Sequence, residues 1–476
     1  MEAVNDFQGQ SFDKLRRSCL RRGALFKDSL FPATNQSLFY KRAPPPGLTW
    51  RRPREICRDP RLFVDGISTR DLHQGSLGNC WMVAAISCLA SEPSLFWRFG
   101  HWVDVVVDDR LPVSQDGVLL FCRSATPREF WSALLEKAYA KLNGCYEALE
   151  GGNTAEALID FTGGVSEPLN LDCEALRLHS ERRKSLFQTL AKVHEHKSLI
   201  TCSIRPAEGE MVESVLDCGL VRGHAYGITA VRKVRLGENL LRTGGTPRLF
   251  MVRMRNPWGT TDWKGAWSQG SEQWQQLSRA EREKMGIVVR DVGEFWYHDF
   301  CCYFTDVVVC RLVQRTLLWL NSHWRETQSY GEWTPAPTSA APTIAPLSTG
   351  EYSSSALTLS NSNIGPEGAK PRRNKVEVNR CSRVQCVVEQ AASSIYMDSR
   401  SVTLRGTLAQ GRYVVLPTTF LPGDTGRFLL RLFSHSHVHL RCAKVQKINL
   451  MSSGPPEMSP LRINHTIFCT CYIQVP

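Results

Sequence analysis

The stretch Gln74-Gly-Ser-Leu-Gly-Asn-Cys80-Trp-Met-Val-Ala-Ala-Ile-Ser-Cys-Leu-Ala90 decides the reading of this chain. A Gly-rich turn runs into an apolar segment of helical length, and Asn79 stands where an N-cap is expected. Cys80 then opens the helix, where unpaired backbone amides and the macrodipole favour a thiolate. Gln74, on the same turn, is placed to donate its side-chain amide to a developing oxyanion beside the Cys80 N–H.

Two later segments complete a constellation. In Val221-Arg-Gly-His224-Ala-Tyr-Gly-Ile a histidine follows a glycine at the start of a predicted strand, 144 residues beyond Cys80. In Val252-Arg-Met-Arg-Asn256-Pro-Trp-Gly259, Pro257 holds Asn256 in an extended conformation at a strand end. One imidazole nitrogen can then bond the Asn256 amide while the other faces sulfur, with Trp258 shielding that bond from water. A lone cysteine is most often inert core and a lone histidine structural. The order Cys, His, Asn, each on a turn or strand end, is what points to a thiol nucleophile with an oriented base.

The rest of the chain narrows the class. Its 476 residues carry 58 Lys+Arg against 46 Asp+Glu, a formal net charge of +12, with 42% apolar and 22% charged residues. That is ordinary globular composition with room for two to four domains. The seventeen cysteines are scattered, without the spacing of a disulfide scaffold or a zinc site. The N-terminus lacks a basic n-region and apolar h-region, and the best apolar run, Trp81 to Ala90, is too short to span a bilayer. A reduced, cytoplasmic chain is the expectation, with nuclear or membrane-associated pools as secondary locations. Asn35-Gln-Ser and Asn464-His-Thr would then carry no glycan, and Lys370-Pro-Arg-Arg-Asn-Lys375 is a weak nuclear address. The basic clusters are short, scattered and not interleaved with aromatics, so no specific nucleic-acid partner is expected.

Up to about residue 312 strand-like and helix-like segments alternate: a strand over Trp102–Asp108, an amphipathic helix over Glu129–Leu142, and strands over His224–Val231 and Leu249–Arg255. Residues 313–384 turn rich in Pro, Ser and Thr and read as a disordered linker. Short strands return over 385–443, typified by Ser401-Val-Thr-Leu-Arg, Gly411-Arg-Tyr-Val-Val-Leu and Gly426-Arg-Phe-Leu-Leu-Arg-Leu-Phe, as in part of an antiparallel sandwich. Residues 444–476 form a tail without clear pattern.

At this point the chain resembles the calpains, calcium-dependent cytosolic cysteine proteases. Gln74-Gly-x-Leu-Gly-x-Cys80-Trp, Gly223-His224-Ala-Tyr and Arg255-Asn256-Pro-Trp-Gly259 are similar to that family's three active-site blocks. So are Asp108-Asp-Arg-Leu-Pro112, Phe130-Trp-x-x-Leu-Leu-Glu-Lys-Ala-Tyr-Ala-Lys141, Gly144-Cys-Tyr-Glu-Ala-Leu149, Asp160-Phe-Thr-Gly-Gly164 and Gly293-Glu-Phe-Trp296. Leu30-Phe-Pro-Ala-Thr34, Asp59-Pro-Arg-Leu-Phe63 and Gly163-Gly-Val-Ser-Glu-Pro168 resemble the calpain-five and calpain-six branch, which ends in a C2 domain.

The resemblance implies an α+β fold: a two-lobed papain-like core followed by a partial antiparallel β-sandwich. An N-terminal segment (1–25) would precede lobe 1 over 26–168 with Cys80, and lobe 2 over 169–312 with His224 and Asn256. The tail at Lys444-Val-Gln-Lys would be a C2 remnant. The implied activity is a calcium-dependent endopeptidase making limited cuts in protein substrates, with Gln74 at the oxyanion and Trp258 as shield. Cytoskeletal or membrane-proximal proteins are further implied partners, and a monomer is expected. Calcium is the implied cofactor, held at one site by Asp71 and Glu129 with backbone oxygens near Val64 and Gly66, and at a second by Asp262 and Glu294. Gln269 and Val292 stand where family members commonly carry acidic ligands, which weakens the second site. After Ser91-Glu-Pro-Ser-Leu95 the chain passes directly to Phe96-Trp-Arg-Phe-Gly-x-Trp102, where family members insert a further stretch. That gap motivates the alternative, a catalytically impaired calpain-like binding or scaffold protein. A transglutaminase would carry Asp in place of Asn256.

Overall fold

Helix α1 (Cys80–Ala90) is apolar around its whole circumference, and all eleven of its residues are buried, as a helix with no polar stripe requires. It belongs to the first of two compact units into which the computed structural model divides, residues 1–312 and 313–476. The structure describes residues 5–93, 95, 103–171, 176, 178–207, 209, 213–236, 248–260, 263–268, 270–285, 294–297, 300–312, 325–333, 355–361, 389–393, 400–408, 413–419, 426–434, 438 and 465–474.

In the first unit two further helices pack near α1. Helix α2 spans Trp131–Leu142 and α3 spans Thr154–Thr162, opened by the Asn153 side chain accepting from the Ala155 N–H and closed by Gly163 at φ +63°. Around them lies a core including Leu72, Met82, Ile86, Phe121, Tyr146 and Leu158. Helix α2 begins two residues later than the sequence predicts, because Arg128 takes φ +70° and Glu129 turns its carboxylate toward the loop at Val64, whose N–H it accepts at 2.6 Å.

The other part is a six-stranded antiparallel sheet. Its strands are β1 (Val165–Asn170), β2 (Leu199–Ser203), β3 (Ala225–Arg235), β4 (Arg248–Arg255), β5 (Glu294–Tyr297) and β6 (Asp306–Arg311), in the order β1-β6-β2-β3-β4-β5. Strand β1 straddles the lobe boundary that the sequence places after residue 168. The first seven residues of β3 are buried without alternation, because the sheet is covered on both faces. On one side α1 approaches so closely that a Cβ on Gly227 would stand 3.0 Å from the Ala84 carbonyl oxygen and the Cys88 sulfur. Cys88 also donates its S–H to the Ile200 carbonyl at 3.0 Å. On the other side helix α4 (Ser180–Glu195) buries Phe187, Leu190 and Val193, and Phe187 meets Phe250 at a centroid distance of 4.2 Å. A bulge in β3 between Ile228 and Ala230 leaves Thr229 without an opposite residue on β4. Such an insertion bends the strand and increases its local twist, five residues beyond His224.

The second unit contains two antiparallel sheets. One joins β7 (Arg325–Trp333), β12 (Gly426–Ser434), β13 (His465–Gln474) and β10 (Ser401–Leu408) in that order. The other joins β9 (Glu389–Ser393), β8 (Ser355–Asn361) and β11 (Tyr413–Thr419).

Three expectations need correction here. The stretch 313–384, read as a disordered linker, contains β7 and β8. Strand β7 is largely polar and is held by pairing with β12 about a hundred residues later, with Arg431 donating to Glu326 at 2.6 Å. The tail without pattern contains β13, which pairs with both β12 and β10. Within Trp102–Asp108 only Val103–Asp104 is strand, in parallel with Asn5–Asp6, and Trp102 lies outside the described residues.

Candidate active site

Cys80 opens α1 and is buried. The expected cap differs: Asn79 is the N-cap residue, but its side chain makes no capping bond. It donates instead to the buried Glu136 carboxylate at 2.7 Å, whose other oxygen accepts the Cys122 N–H at 2.9 Å. The first amides of the helix therefore remain open at Cys80. Its sulfur is approached by the N–H groups of Ala225, Trp81 and Cys80, all favouring thiolate. Burial outweighs them and, together with the nearby Glu213 charge, pushes the Cys80 thiol up to about 11. The sequence expectation of a lowered thiol pKa is thus corrected for this closed arrangement, because desolvation disfavours the charged form more than a helix terminus favours it.

His224 immediately precedes β3 and is fully buried. Its Nε2 lies 2.8 Å from Asn256 Oδ1. Two bonds fix which way the Asn256 amide faces: Oδ1 also accepts the Trp258 N–H at 3.0 Å, and Nδ2 donates to the Thr260 carbonyl at 3.0 Å. An amide oxygen only accepts, so Nε2 carries the imidazole proton and Nδ1 keeps its lone pair. Nδ1 is buried without a hydrogen-bond partner. A His224 nitrogen, Cys80 Sγ and a Glu213 carboxylate oxygen all lie within 4.8 Å of one another. Burial holds His224 down at about 4, against the opposing pull of its bond to Asn256. Cys80 and His224 therefore rest as a neutral thiol and a neutral imidazole.

The remaining predicted residues gather around this pair. The half-buried Trp258 sets its ring 4.7 Å from the His224 ring at 48°. Gln74 is buried and its Nε2 donates to the Leu77 carbonyl at 2.6 Å, using one of its two N–H groups. The Cys80 segment and the Asn256 turn are tied directly. The Gln74 N–H donates to the Pro257 carbonyl at 2.8 Å, and Arg255 donates to the Leu72 carbonyl at 3.3 Å. Gly259, at φ +67°, leaves room for His73, whose ring a Cβ would meet at 2.3 Å.

Asp71 and Glu129, predicted together, are found together. The Ser124 hydroxyl stands 2.7 Å from a Glu129 oxygen and 3.5 Å from Asp71 Oδ1, and the Thr126 hydroxyl donates to the same Asp71 oxygen at 3.2 Å. Burial first, then the neighbouring Asp71 charge, raises Glu129. Two buried carboxylates gathered in one cluster, with the Val64 N–H on Glu129, are a donor set that a hard divalent cation suits. Asp262 lies outside the described residues, and so does the side chain of Glu294. Sequence reading missed Glu213 and Glu136. Glu213 sits in a loop without a motif, and Glu136 reads as an ordinary residue of an amphipathic helix.

The calpain family cysteine protease model matches residues 26–96 and 94–311, and the model of calpain large subunit domain III matches residues 360–433. Calpain-5 of Mus musculus is 46% identical over 483 residues, covering 90% of this chain and 75% of that protein. Calpain-5 of Caenorhabditis elegans is 36% identical, covering 92% and 78%. Calpain-A of Drosophila melanogaster is 34% identical, covering 90% and 58%. The chain belongs to the calpain family of cysteine proteases, on its calpain-5 branch.

Proposed function

We propose that the chain is a calcium-dependent cysteine endopeptidase making limited cuts in protein substrates. The single observation that carries this reading is the His224 ring. It is fixed by Asn256 through Nε2–H and presents a buried, unpartnered Nδ1 beside the Cys80 thiol. Nδ1 takes the thiol proton as sulfur attacks the scissile carbonyl. It later returns that proton to the leaving amine. The Cys80 N–H and the second N–H of the Gln74 amide stabilise the oxyanion, and Trp258 keeps water from the His224–Asn256 bond. Asp71 and Glu129, with backbone oxygens near Val64 and Gly66, would hold a calcium ion. Such an ion neutralises the paired carboxylates when bound. Asp262 and Glu294 would form a second site, as the resemblance implies.

The two segments of the family match, meeting at 94–96, favour a second reading. In it the stretch skipped after Leu95 impairs catalysis and the chain acts as a calpain-like binding or scaffold protein. Incubation of the purified chain with an unfolded protein in millimolar calcium separates the two. The first reading expects nicking that Cys80→Ala abolishes and chelation stops. Equal nicking by both proteins, or none by either, would overturn it.

A further inference from the structure

A third side chain shares the space between nucleophile and base. Glu213 lies on the loop leading to His224, in the left-handed region at φ +65°, with its N–H donating to the Arg222 carbonyl at 2.8 Å. One carboxylate oxygen stands 3.9 Å from His224 Nδ1, and the Glu213 side chain is 39% exposed. The three groups bring one sulfur, one ring nitrogen and one carboxylate oxygen within 4.8 Å of one another.

We propose that Cys80, His224 and Glu213 form a binding site for a divalent cation of the zinc class, which when bound blocks the nucleophile. Such an ion takes S, N and O donors tetrahedrally at ~2.0–2.3 Å, placing ligand atoms about 3.3–3.6 Å apart. From separations within 4.8 Å the site therefore closes by at most about 1.5 Å, within reach of an exposed glutamate. Three protein ligands leave a fourth position open to water. The orphaned Nδ1 is aimed into this space and carries a lone pair, because the Nε2 proton is committed to Asn256. A metal-bound histidine is commonly oriented in this way, by a carbonyl oxygen that accepts its other N–H. Binding replaces the thiol proton: Cys80–SH and M²⁺ give Cys80–S–M⁺ and one proton released to solvent, with no change of oxidation state. Calcium prefers six to eight oxygens and is a poor competitor for this donor set.

The inhibitory consequence rests on the proposed protease reading, whereas the binding does not, so the test reads the metal itself. The full chain, reduced and freed of metal, is titrated with Co²⁺ and followed by the thiolate-to-cobalt charge-transfer band and by proton release. One band saturating at one equivalent is expected, displaced by Zn²⁺ and not by excess Ca²⁺. Cys80→Ser should remove the band, and Glu213→Ala should weaken binding at least tenfold. A band that survives Cys80→Ser belongs to another cysteine and overturns the proposal, as does Glu213→Ala binding like the wild type. Cleavage is scored separately. Cobalt binding without any proteolysis would sink the protease reading alone, and proteolysis without cobalt binding would sink the metal site alone.

Discussion

Replacing Asn256 with alanine removes the acceptor that holds the base in place. In the native chain Oδ1 accepts from His224 Nε2 at 2.8 Å and from the Trp258 N–H at 3.0 Å, while Nδ2 donates to Thr260 at 3.0 Å. Thr260 is exposed, so water replaces that partner at little cost. His224 is fully buried, so its N–H is orphaned, which costs about 1–3 kcal/mol and lowers the melting temperature by a few degrees. Activity should fall much further. An untethered ring is free to turn its proton toward sulfur, and a misplacement of about 1 Å costs ~10²-fold in rate. Asn256→Asp is the informative companion. It keeps both accepted bonds and adds a negative charge beside the imidazole, raising the His224 pKa from about 4. The base is then unprotonated only at higher pH, so the acidic limb of kcat/KM moves upward in pH while stability changes less than for alanine. Thermal melts and pH–rate profiles on a peptide substrate read both. Asn256→Ala within threefold of wild-type kcat/KM would refute the assigned role.

Other outcomes follow from packing and charge. Gly227→Ala places a Cβ 3.0 Å from the Ala84 oxygen and the Cys88 sulfur, so denaturant unfolding should show a loss of about 1–3 kcal/mol. Activity should drop with it, because α1 carries Cys80. Lys137 donates to the Asp108 carboxylate at 2.6 Å, both side chains being fully buried. Lys137→Met leaves that charge short of a partner and should cost about 3–5 kcal/mol by the same measurement. For Glu136, burial outweighs the bonds from Asn79 and Cys122 and lifts the carboxyl to about 7. The folded state binds more protons than the unfolded between pH 4.5 and 7, so this group's contribution to stability declines as pH rises through that window, by up to ~1.4 kcal/mol per unit. Denaturation of wild type and Glu136→Gln at several pH values should show the steeper decline in wild type, and parallel slopes would rule it out.

What the sequence made legible was local chemistry. The helix Cys80–Ala90 has the bounds its apolar run predicts, and the strand that follows His224 begins, and the strand that precedes Asn256 ends, within about a residue of the expected position. These segments carry their own signals in glycine, proline and unbroken apolar runs. Long-range partnership was not legible. The polar strand Arg325–Trp333 exists because Gly426–Ser434 pairs with it, and nothing local in Arg-Glu-Thr-Gln-Ser-Tyr announces that pairing. The sign of the Cys80 shift was hidden for a related reason. A helix terminus can be read from adjacent residues, but burial depends on the sheet that closes over it. Asn79 was misread as a side-chain cap because its partner, Glu136, comes from another helix 57 residues on.

One thiol of seventeen, Cys80, is assigned as the nucleophile, with His224 as its base. That assignment is tested most directly by treating the native chain, in calcium, with a substoichiometric peptide-linked electrophile and mapping the modified cysteine by mass spectrometry. Label on Cys80 is expected, and its loss in His224→Ala. Label distributed over accessible thiols such as Cys302, with Cys80 unmodified, would contradict it.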